Sequence, residues 1–440
     1  MQPTTIHQQP DDSRFPVGEA MHRFVSELFP ILRSITGQGT RDTLGRIRER
    51  IGIDIHEVPS GTKVFDWEIP DEWNVSEAWI EGPDGDRLID FRDNNLHLLN
   101  YSEPVDATVS LEELKPHLFS NPAMPDHIPY RTSYYKRDWG FCLSHHQLEN
   151  LKDGNYRVVV RSSLEPGVLN YGELFVPGES EEEVLFSTHV CHPSLANDNL
   201  SGVALLTFLA DRILKADRRR FSYRFVFVPG TIGSITWLAR NESRVARIQH
   251  GLVVACVGDP GHFHYKKSRR GTAEIDRVVE HILRRSGEPY GIRDFSPYGY
   301  DERQYCSPGF NLPLGCLSRT PHGKFPEYHT SADNPDFVTP VALEGSLLRF
   351  MEIVECLEQN RTYVNLNPKC EPQLGRRGLY RMMGGYADAQ EDQMAMLWIL
   401  NLADGSNSLL DIAERSGMGF DRLGKVADTL TEQGLLTSVR

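Results

Sequence analysis

The sequence predicts a mixed α/β fold, with a mostly parallel sheet flanked by helices, a β-rich inserted domain and a C-terminal winged-helix domain. Short apolar runs such as VLFST, FSYRFVFVPG and LVVACVG alternate with helical stretches from residue 183 onward. That alternation is typical of a parallel sheet covered on both faces. Residues 66–165 instead contain short β-rich runs between turn clusters such as GPDGD and LKDGN. The last 70 residues have a helix-turn-helix rhythm.

We expect three domains, which suits a chain of 440 residues at about 150 residues per domain. The α/β core is predicted over residues 1–65 and 166–365, and the β-rich domain over residues 66–165. A linker rich in Pro, Gly and Arg leads into the winged-helix domain, residues 366–440. Apolar periodicity predicts the helices of the core and of the last domain, which we place at 200–215, 272–285, 341–360, 392–402, 409–416 and 420–433.

Composition limits the classes of function. The chain has 47 Lys and Arg against 61 Asp and Glu, a net charge of -14, which argues against a broad nucleic-acid surface. No run of 18 apolar residues exists, so no membrane span is expected. The polar N-terminus lacks a secretion signal, and the seven cysteines are scattered without a CxxC pair. We therefore expect a cytoplasmic protein.

The densest group of potential ligands follows the VLFST strand, in the segment STHVCHPSLANDNLSG. His189 and His192 lie just past the carboxyl end of that strand, the edge at which open α/β sheets bind ligands. Asp198 follows on the same loop, and a His and an Asp delivered together can bind a divalent metal. A plainer interpretation is a capped helix start, with Asn197, Asp198 or Asn199 as the cap.

Two later segments add polar side chains. His329 follows the LPLGCLS strand and is expected at the same sheet edge. Asp301, Glu302 and Arg303 stand in a row between aromatic residues, and we interpret them as a site loop that supplies a carboxylate for proton transfer and a guanidinium for a substrate carboxylate. A solvated loop with an ordinary ion pair is the alternative.

These motifs resemble the zinc aminopeptidases of the M28 peptidase family. That family has a strand-end His, an Asp-Asn-x-Ser-Gly segment and a later His-Thr-x-x-Asp segment, which match His189, residues 198–202 and residues 329–333. More closely, the whole chain resembles a bacterial aminopeptidase-like family described as domain of unknown function 4910. The phrases STHVCHPSLANDNLSG, DERQY and EYHTSADN carry that likeness. It implies an inserted β-rich domain, a C-terminal winged helix and a link to polysaccharide or secondary-metabolite biosynthesis.

The chain also departs from the M28 pattern. The usual Glu-Glu pair is missing, because that place contains VPGTIGS. Ala255 and Cys256 occupy the neighbourhood of a further ligand Asp, with Asp259 slightly later, and Cys191 stands where an Asp normally follows the first histidine. These departures argue against a two-zinc centre.

The resemblance, read with its departures, implies one zinc ion per chain. We predict His189, Asp198 and His329 as its ligands, since three protein ligands and one open position are usual for catalytic zinc.

The remaining site residues are assigned from their type and position. With the usual Glu missing, Glu302 is the predicted general base, with His192 in reserve. Arg303 is predicted to hold a substrate carboxylate, and Asp301 a free amino group.

We expect a zinc-dependent, aminopeptidase-like hydrolase that cleaves an amide or peptide bond of a small substrate through a metal-activated water. One alternative is a deacylase or amidohydrolase acting on a modified sugar or metabolite conjugate. Another is a catalytically degenerate binding module. A DNA-binding regulator is disfavoured, because residues 391–440 carry eight acidic and four basic residues. The inserted or winged-helix domain is a candidate surface for homo-oligomer formation.

Overall fold

The computed structural model describes residues 16–379 and 387–439, so the polar N-terminal segment lies outside the described residues. The helices are α1 (Val17–Leu28), α2 (Gln38–Ile51), α3 (Leu111–Leu114), α4 (His145–Glu149), α5 (Gly202–Leu214), α6 (Ile232–Asn241), α7 (Glu274–Arg285), α8 (Glu302–Tyr305), α9 (Pro340–Gln359), α10 (Ala387–Leu402), α11 (Leu409–Ser416) and α12 (Phe420–Glu432). The strands are β1 (Asp54–Pro59), β2 (Lys63–Val64), β3 (Trp67–Glu68), β4 (Glu72–Glu81), β5 (Arg87–Asp90), β6 (Val105–Ser110), β7 (Leu118–Phe119), β8 (Phe141–Cys142), β9 (Asn155–Glu165), β10 (Val168–Val176), β11 (Glu183–His189), β12 (Ser222–Val228), β13 (Ile248–Val254), β14 (Phe263–Lys266), β15 (Tyr290–Arg293), β16 (Leu314–Ser318), β17 (Thr362–Asn365), β18 (Asp404–Ser408) and β19 (Leu436–Ser438).

The main sheet has eight strands in the order β1-β10-β12-β11-β13-β16-β14-β15. Its four central strands, β12, β11, β13 and β16, run parallel, while β1 and β10 on one side and β14 on the other join in antiparallel fashion. Every residue of β11 and β12 is buried, because both faces of the sheet are covered. The predicted α/β architecture is therefore confirmed.

Helices α1, α2 and α5 form the packing layer beside the central strands. Helix α5 packs against β11 and β12, and α1 and α2 pack against α5. The side chains of Val203, Leu206 and Ala210 on α5 are fully buried, so this helix is anchored by its apolar face. Its amino-terminal end is therefore fixed directly beside the end of β11.

The inserted segment forms a separate four-stranded antiparallel sheet in the order β5-β4-β9-β6. It is inserted between β1 and β10, which are neighbours in the main sheet. The hairpin of β2 and β3 precedes it in the chain. This sheet and the main sheet belong to one compact unit, which comprises the described chain up to Asp276 together with residues 287–349.

The second compact unit comprises residues 277–286 and 350 onward. It contains helices α10, α11 and α12 and a three-stranded sheet in the order β18-β17-β19. Ser408 caps α11 through a reciprocal capping box with Asp411, and Gly417 ends that helix in the left-handed conformation. The predicted winged-helix character of this region is confirmed. Among the described residues, no helix has the length and apolar character needed to cross a membrane.

Candidate metal centre

Three separated segments deliver polar side chains to the carboxyl edge of the parallel strands. His189 is the last residue of β11, and Asp198 lies in the turn of residues 196–201 that leads into α5. His329 belongs to the loop between β16 and α9 and has a positive φ of 56°, which is costly for a residue other than glycine. The sequence prediction had placed all three at this edge.

The Asp198 carboxylate is the centre of the group. Its Oδ1 lies 3.0 Å from His189 Nε2, and its Oδ2 lies 2.9 Å from His329 Nε2 and 3.5 Å from His192 Nδ1. The two imidazoles of His189 and His192 are 3.2 Å apart at their nearest nitrogens. Within the described chain, donor atoms of His189, His192 and Asp198 all lie within 4.8 Å of one another. The structure therefore brings His192 into the cluster, next to the predicted ligands.

Burial and mutual contact fix the charge of these groups. Burial alone would raise the pKa of Asp198, but the electrostatic interaction with His192 and the hydrogen bonds from His189, His192 and His329 hold it well below its usual range. Burial lowers the pKa of His192 to about 4, against the pull of Asp198. A neutral imidazole beside an ionised carboxylate is the protonation state that metal binding requires.

The predicted helix-cap interpretation of this turn is wrong. The N-cap of α5 is Ser201, and its side chain makes no capping hydrogen bond. The three candidate cap residues are used elsewhere: Asn197 Nδ2 donates to Asp259 Oδ2, Asn199 Nδ2 donates to Thr188 Oγ1, and Asp198 contacts the histidines. The polar residues of the turn thus anchor it to the ends of the strands.

Three tyrosines enclose the cluster, and the sequence analysis did not predict them. Tyr300 stacks on His189 with ring centres 5.2 Å apart, and Tyr328 stacks on His329 at 3.9 Å. Tyr130 contacts His192 and His329 with its ring centre 5.1 Å from each. Tyr300 directly precedes the DERQY motif and Tyr328 lies within the EYHTSADN motif. Tyr130, in contrast, comes from the inserted segment.

The inserted segment reaches the site through backbone pairing. Tyr130 N–H donates to the His329 carbonyl at 2.7 Å, and Ser331 N–H donates to the Ile128 carbonyl at 2.8 Å. Between them, Pro129 and Thr330 form an isolated antiparallel bridge. No sequence signal indicates this pairing, because the two stretches are separated by about 200 residues and neither has a strand pattern.

The place of the missing Glu pair is occupied by a tight turn. After β12, a Cβ added to Gly230 would lie 3.4 Å from Cys191 Sγ and 3.7 Å from His189 Cβ. The next residue, Thr231, has a positive φ of 65°, and its N–H donates to Asp301 Oδ1 at 2.8 Å. Asp301 thus supplies a carboxylate to the neighbourhood that a glutamate occupies in the M28 pattern.

The three predicted loop residues have different surroundings. Asp301 is buried, which raises the pKa of its carboxyl group, although the charge of His189 opposes that shift. Glu302 is fully buried and forms an ion pair with Lys266. Arg303 Nη2 lies 3.5 Å from Thr231 Oγ1, and the buried Nε of Arg303 has no hydrogen-bond acceptor.

A thiol nucleophile finds no support at this site. Burial raises the pKa of the Cys191 thiol to about 12, so the reactive thiolate is scarce at neutral pH. Its Sγ accepts a hydrogen bond from Gly230 N–H at 3.2 Å. The side chain is therefore a packed neighbour of the cluster.

Comparison with protein families shows to which family the chain belongs. The family described as domain of unknown function 4910 matches residues 22–360, and a winged helix-turn-helix family matches residues 361–438. The chain belongs to the domain of unknown function 4910 family. A Clostridium acetobutylicum relative is 53% identical over 422 residues, which cover 96% of this chain and 97% of the relative. Its provisional name is polysaccharide biosynthesis protein with aminopeptidase-like domain.

Solved structures agree with that assignment. A crystal structure from Clostridium acetobutylicum, provisionally named a peptidase, has 51% identity and a TM-score of 0.91 over 96% of each chain. A zinc aminopeptidase from Bacillus subtilis has 12% identity and a TM-score of 0.56, over 79% of this chain and 95% of its own. An M28 peptidase precursor from Shewanella amazonensis has 13% identity and a TM-score of 0.52, over 77% of this chain and 94% of its own. The last two likenesses confirm the aminopeptidase-like fold predicted from the motifs.

The cluster in this domain of unknown function 4910 protein fits a zinc ion by its donor set. Two imidazole nitrogens and one carboxylate oxygen are ligands that zinc accepts, and three of them leave a coordination position open. His189 and Asp198 are almost completely buried, so the ligand atoms are held by the surrounding fold. Asp259 is already engaged with Gly261 and Thr320.

Proposed function

We propose that this chain is a metal-dependent hydrolase that cleaves an amide or peptide bond of a small substrate. The observation that carries the proposal is the convergence of His189, His192 and Asp198 within 4.8 Å at the carboxyl edge of the sheet. Clusters of imidazole and carboxylate groups in such a position are typical of metal-assisted hydrolysis.

The proposed ligands of one zinc ion are His189, His192 and Asp198. This set differs from the sequence prediction, because it takes His192 in place of His329. His329 lies outside the group within 4.8 Å and contacts Asp198 Oδ2, so its proposed role is to orient that carboxylate. A zinc ion held there supplies a Lewis acid for the scissile carbonyl and lowers the pKa of a water molecule towards about 7.

Asp301 is the proposed general base. Its carboxylate is buried next to the Gly230–Thr231 turn and is fixed by the Thr231 N–H. The same turn approaches the cluster, because a Cβ added to Gly230 would lie 3.7 Å from His189 Cβ, so a proton taken from a nucleophile at the cluster has a nearby acceptor. A carboxyl group with a raised pKa is better matched to proton transfer near neutral pH than an ordinary aspartate.

Glu302 and Arg303 receive separate roles. The Lys266–Glu302 ion pair is buried, so we propose a positioning role in the site loop for Glu302. The buried Nε of Arg303 has no acceptor, and we propose that its guanidinium holds a substrate carboxylate.

Two further features support a small substrate from a biosynthetic route. Tyr130, Tyr300 and Tyr328 surround the cluster and restrict the space beside it. The Clostridium acetobutylicum relative is provisionally named for polysaccharide biosynthesis, which makes an amide on a sugar or metabolite conjugate a reasonable substrate alongside a peptide.

The proposal is tested by assaying hydrolysis of aminoacyl anilides and N-acyl amino sugars. We expect turnover of a member of one series that is lost after chelation and restored by zinc. Turnover that survives complete metal removal would contradict metal dependence. Stoichiometric zinc binding without hydrolysis of either series would favour the binding-module alternative.

A further inference from the structure

Three exposed aromatic side chains, two of them on the hairpin of β2 and β3, belong to the unit that holds the metal centre. Phe65, Trp67 and Tyr135, here called the aromatic rim, are 52%, 39% and 55% exposed. Trp67 and Tyr135 meet edge to face, with ring centres 5.4 Å apart. Large aromatic groups are rarely left in water without a binding role when they are grouped.

The rim is connected to the metal centre by a chain of aromatic contacts. Tyr135 lies next to Tyr134, with ring centres 6.3 Å apart, and the Tyr134 hydroxyl is 2.7 Å from the hydroxyl of Tyr130. Tyr130 in turn contacts His192 and His329. These contacts link the rim to the metal centre through the side chains of the inserted segment.

The hairpin that carries Phe65 contains an unfavourable backbone conformation at that residue. Lys63 pairs with Glu68 and Val64 with Trp67, so Phe65 takes the first position of a two-residue loop. Its φ of 57° belongs to the region that favours glycine at this position. A strained, exposed phenylalanine is expected where the ring itself is needed.

Position and packing hold the hairpin beside the site. Strand β2 packs against α6, the helix that follows the Gly230–Thr231 turn. Phe65 also contacts the ring of Phe310, with centres 5.7 Å apart. These contacts restrain the hairpin, which lowers the entropy lost when a ligand binds to it.

The charges beside the rim select the chemistry of the ligand. Arg137 pairs with Asp71 at 3.1 Å and with Glu103 at 3.6 Å, which gives a planar hydrogen-bonding group next to Tyr135. Together, the hairpin of residues 63–68, residues 136–138 and the two acidic partners of Arg137 carry five acids and three bases. This acidic excess disfavours a phosphate or nucleotide and suits a neutral or amino-substituted molecule.

We propose that the aromatic rim binds a pyranose ring of the substrate, neutral or amino-substituted. The C–H face of a sugar stacks on an open aromatic face, and its hydroxyl groups need planar polar partners such as the Arg137 ion-pair network. An exposed aromatic surface suits such a ring better than an aliphatic peptide side chain, which is normally enclosed in a concave pocket. This inference rests on the proposed function only for the position of the ring beside the reacting bond.

The test measures binding directly, so it does not depend on turnover. Full-length protein is titrated with N,N′-diacetylchitobiose and methyl β-glucoside, in zinc-loaded and chelated forms, with saturation-transfer NMR and calorimetry. We expect saturable binding that Trp67→Ala and Tyr135→Ala each weaken about tenfold or more, the order of one aromatic stacking contact. Tyr290→Ala, at a comparably exposed tyrosine on edge strand β15, is the matched control and is expected to bind normally.

A second variant separates binding from folding. Phe65→Gly relieves the backbone strain, so we expect unchanged or higher thermal stability together with weaker sugar binding. Absence of saturable binding to either glycoside, or binding unchanged by both rim variants, would overturn the proposal. Rim-dependent binding of leucinamide in place of the glycosides would also overturn it and would assign the rim to a peptide side chain. Binding in the chelated protein would support the rim even if hydrolysis were never observed.

Discussion

The carboxyl group of Asp333 holds the backbone of Asp198. Asp333 Oδ2 accepts a hydrogen bond from the Asp198 N–H at 3.0 Å, and its Oδ1 accepts one from the N–H of Asn197. Asp333 is fully buried, and burial raises its pKa to about 8 even though these N–H groups oppose the shift. The two motifs that were recognised separately in the sequence are thus parts of one structure around the cluster.

Asp333→Asn is expected to weaken both the fold and metal binding. The amide nitrogen cannot accept, so a buried backbone N–H loses its partner at a cost of about 1–3 kcal/mol. Loss of such a supporting contact typically reduces metal affinity by about 10- to 100-fold. Urea unfolding and competition with a chelator measure the two effects. Asp336→Asn, at an exposed position in the same loop, serves as the control, and equal behaviour of the two variants would count against the supporting role.

The identity of the third ligand is tested by two matched histidine variants. His192→Ala should remove bound zinc, because His192 belongs to the group within 4.8 Å. His329→Ala should retain zinc with reduced affinity, since this side chain lies outside that group and contacts the Asp198 carboxylate. Metal analysis of both proteins after dialysis shows which histidine is the third ligand. Retention in His192→Ala combined with loss in His329→Ala would restore the ligand set predicted from the sequence.

The assignment of the general base is tested by Asp301→Asn and Glu302→Gln. Asp301→Asn is expected to lower kcat by about 100-fold or more with zinc retained, the usual effect of removing a general base. Glu302→Gln leaves Lys266 without its buried partner, so it should lower the free energy of unfolding by about 3 kcal/mol while folded molecules keep their turnover. If Glu302→Gln abolished turnover without loss of stability, Glu302 would be the base.

A buried histidine away from the cluster gives a pH-dependent stability. Burial lowers the pKa of His250 to about 4 from its usual 6.5, so between these values the unfolded chain binds a proton that the folded chain does not. The free energy of unfolding therefore falls as the pH drops from 6.5 towards 4, by up to about 3 kcal/mol. Urea unfolding of metal-free protein at about pH 7 and about pH 4.5 should show that His250→Phe removes this component. His262→Phe, at an exposed position, should keep it.

Parallel strands end at the same edge of a sheet, and this explains how much of the site could be predicted from the sequence. Apolar runs identified the parallel strands, so His189 at the end of β11 and His329 in the loop that follows β16 were expected at one edge of the sheet. The loop before α5 brought Asp198 to the same place. These inferences need only the chain order and the strand direction, and the fold confirms that part.

Contacts between distant segments explain what the sequence did not predict. Tyr130 reaches the cluster because residues 128–130 pair with the His329 loop, and neither stretch has a regular pattern. The burial of Glu302 against Lys266 depends on how β14 and the loop before α8 pack together. The helix-cap expectation failed because the histidines and the strand ends compete successfully for the side chains of the turn.

The most direct test of the account is elemental metal analysis of the purified protein and of its His189→Ala variant. The account predicts about one zinc ion per wild-type chain and essentially none in the variant, the stoichiometry of a single catalytic zinc site. Circular dichroism of both proteins controls for folding. Absence of bound metal in the wild type even after zinc is supplied, or two ions per chain, would contradict the single-metal centre.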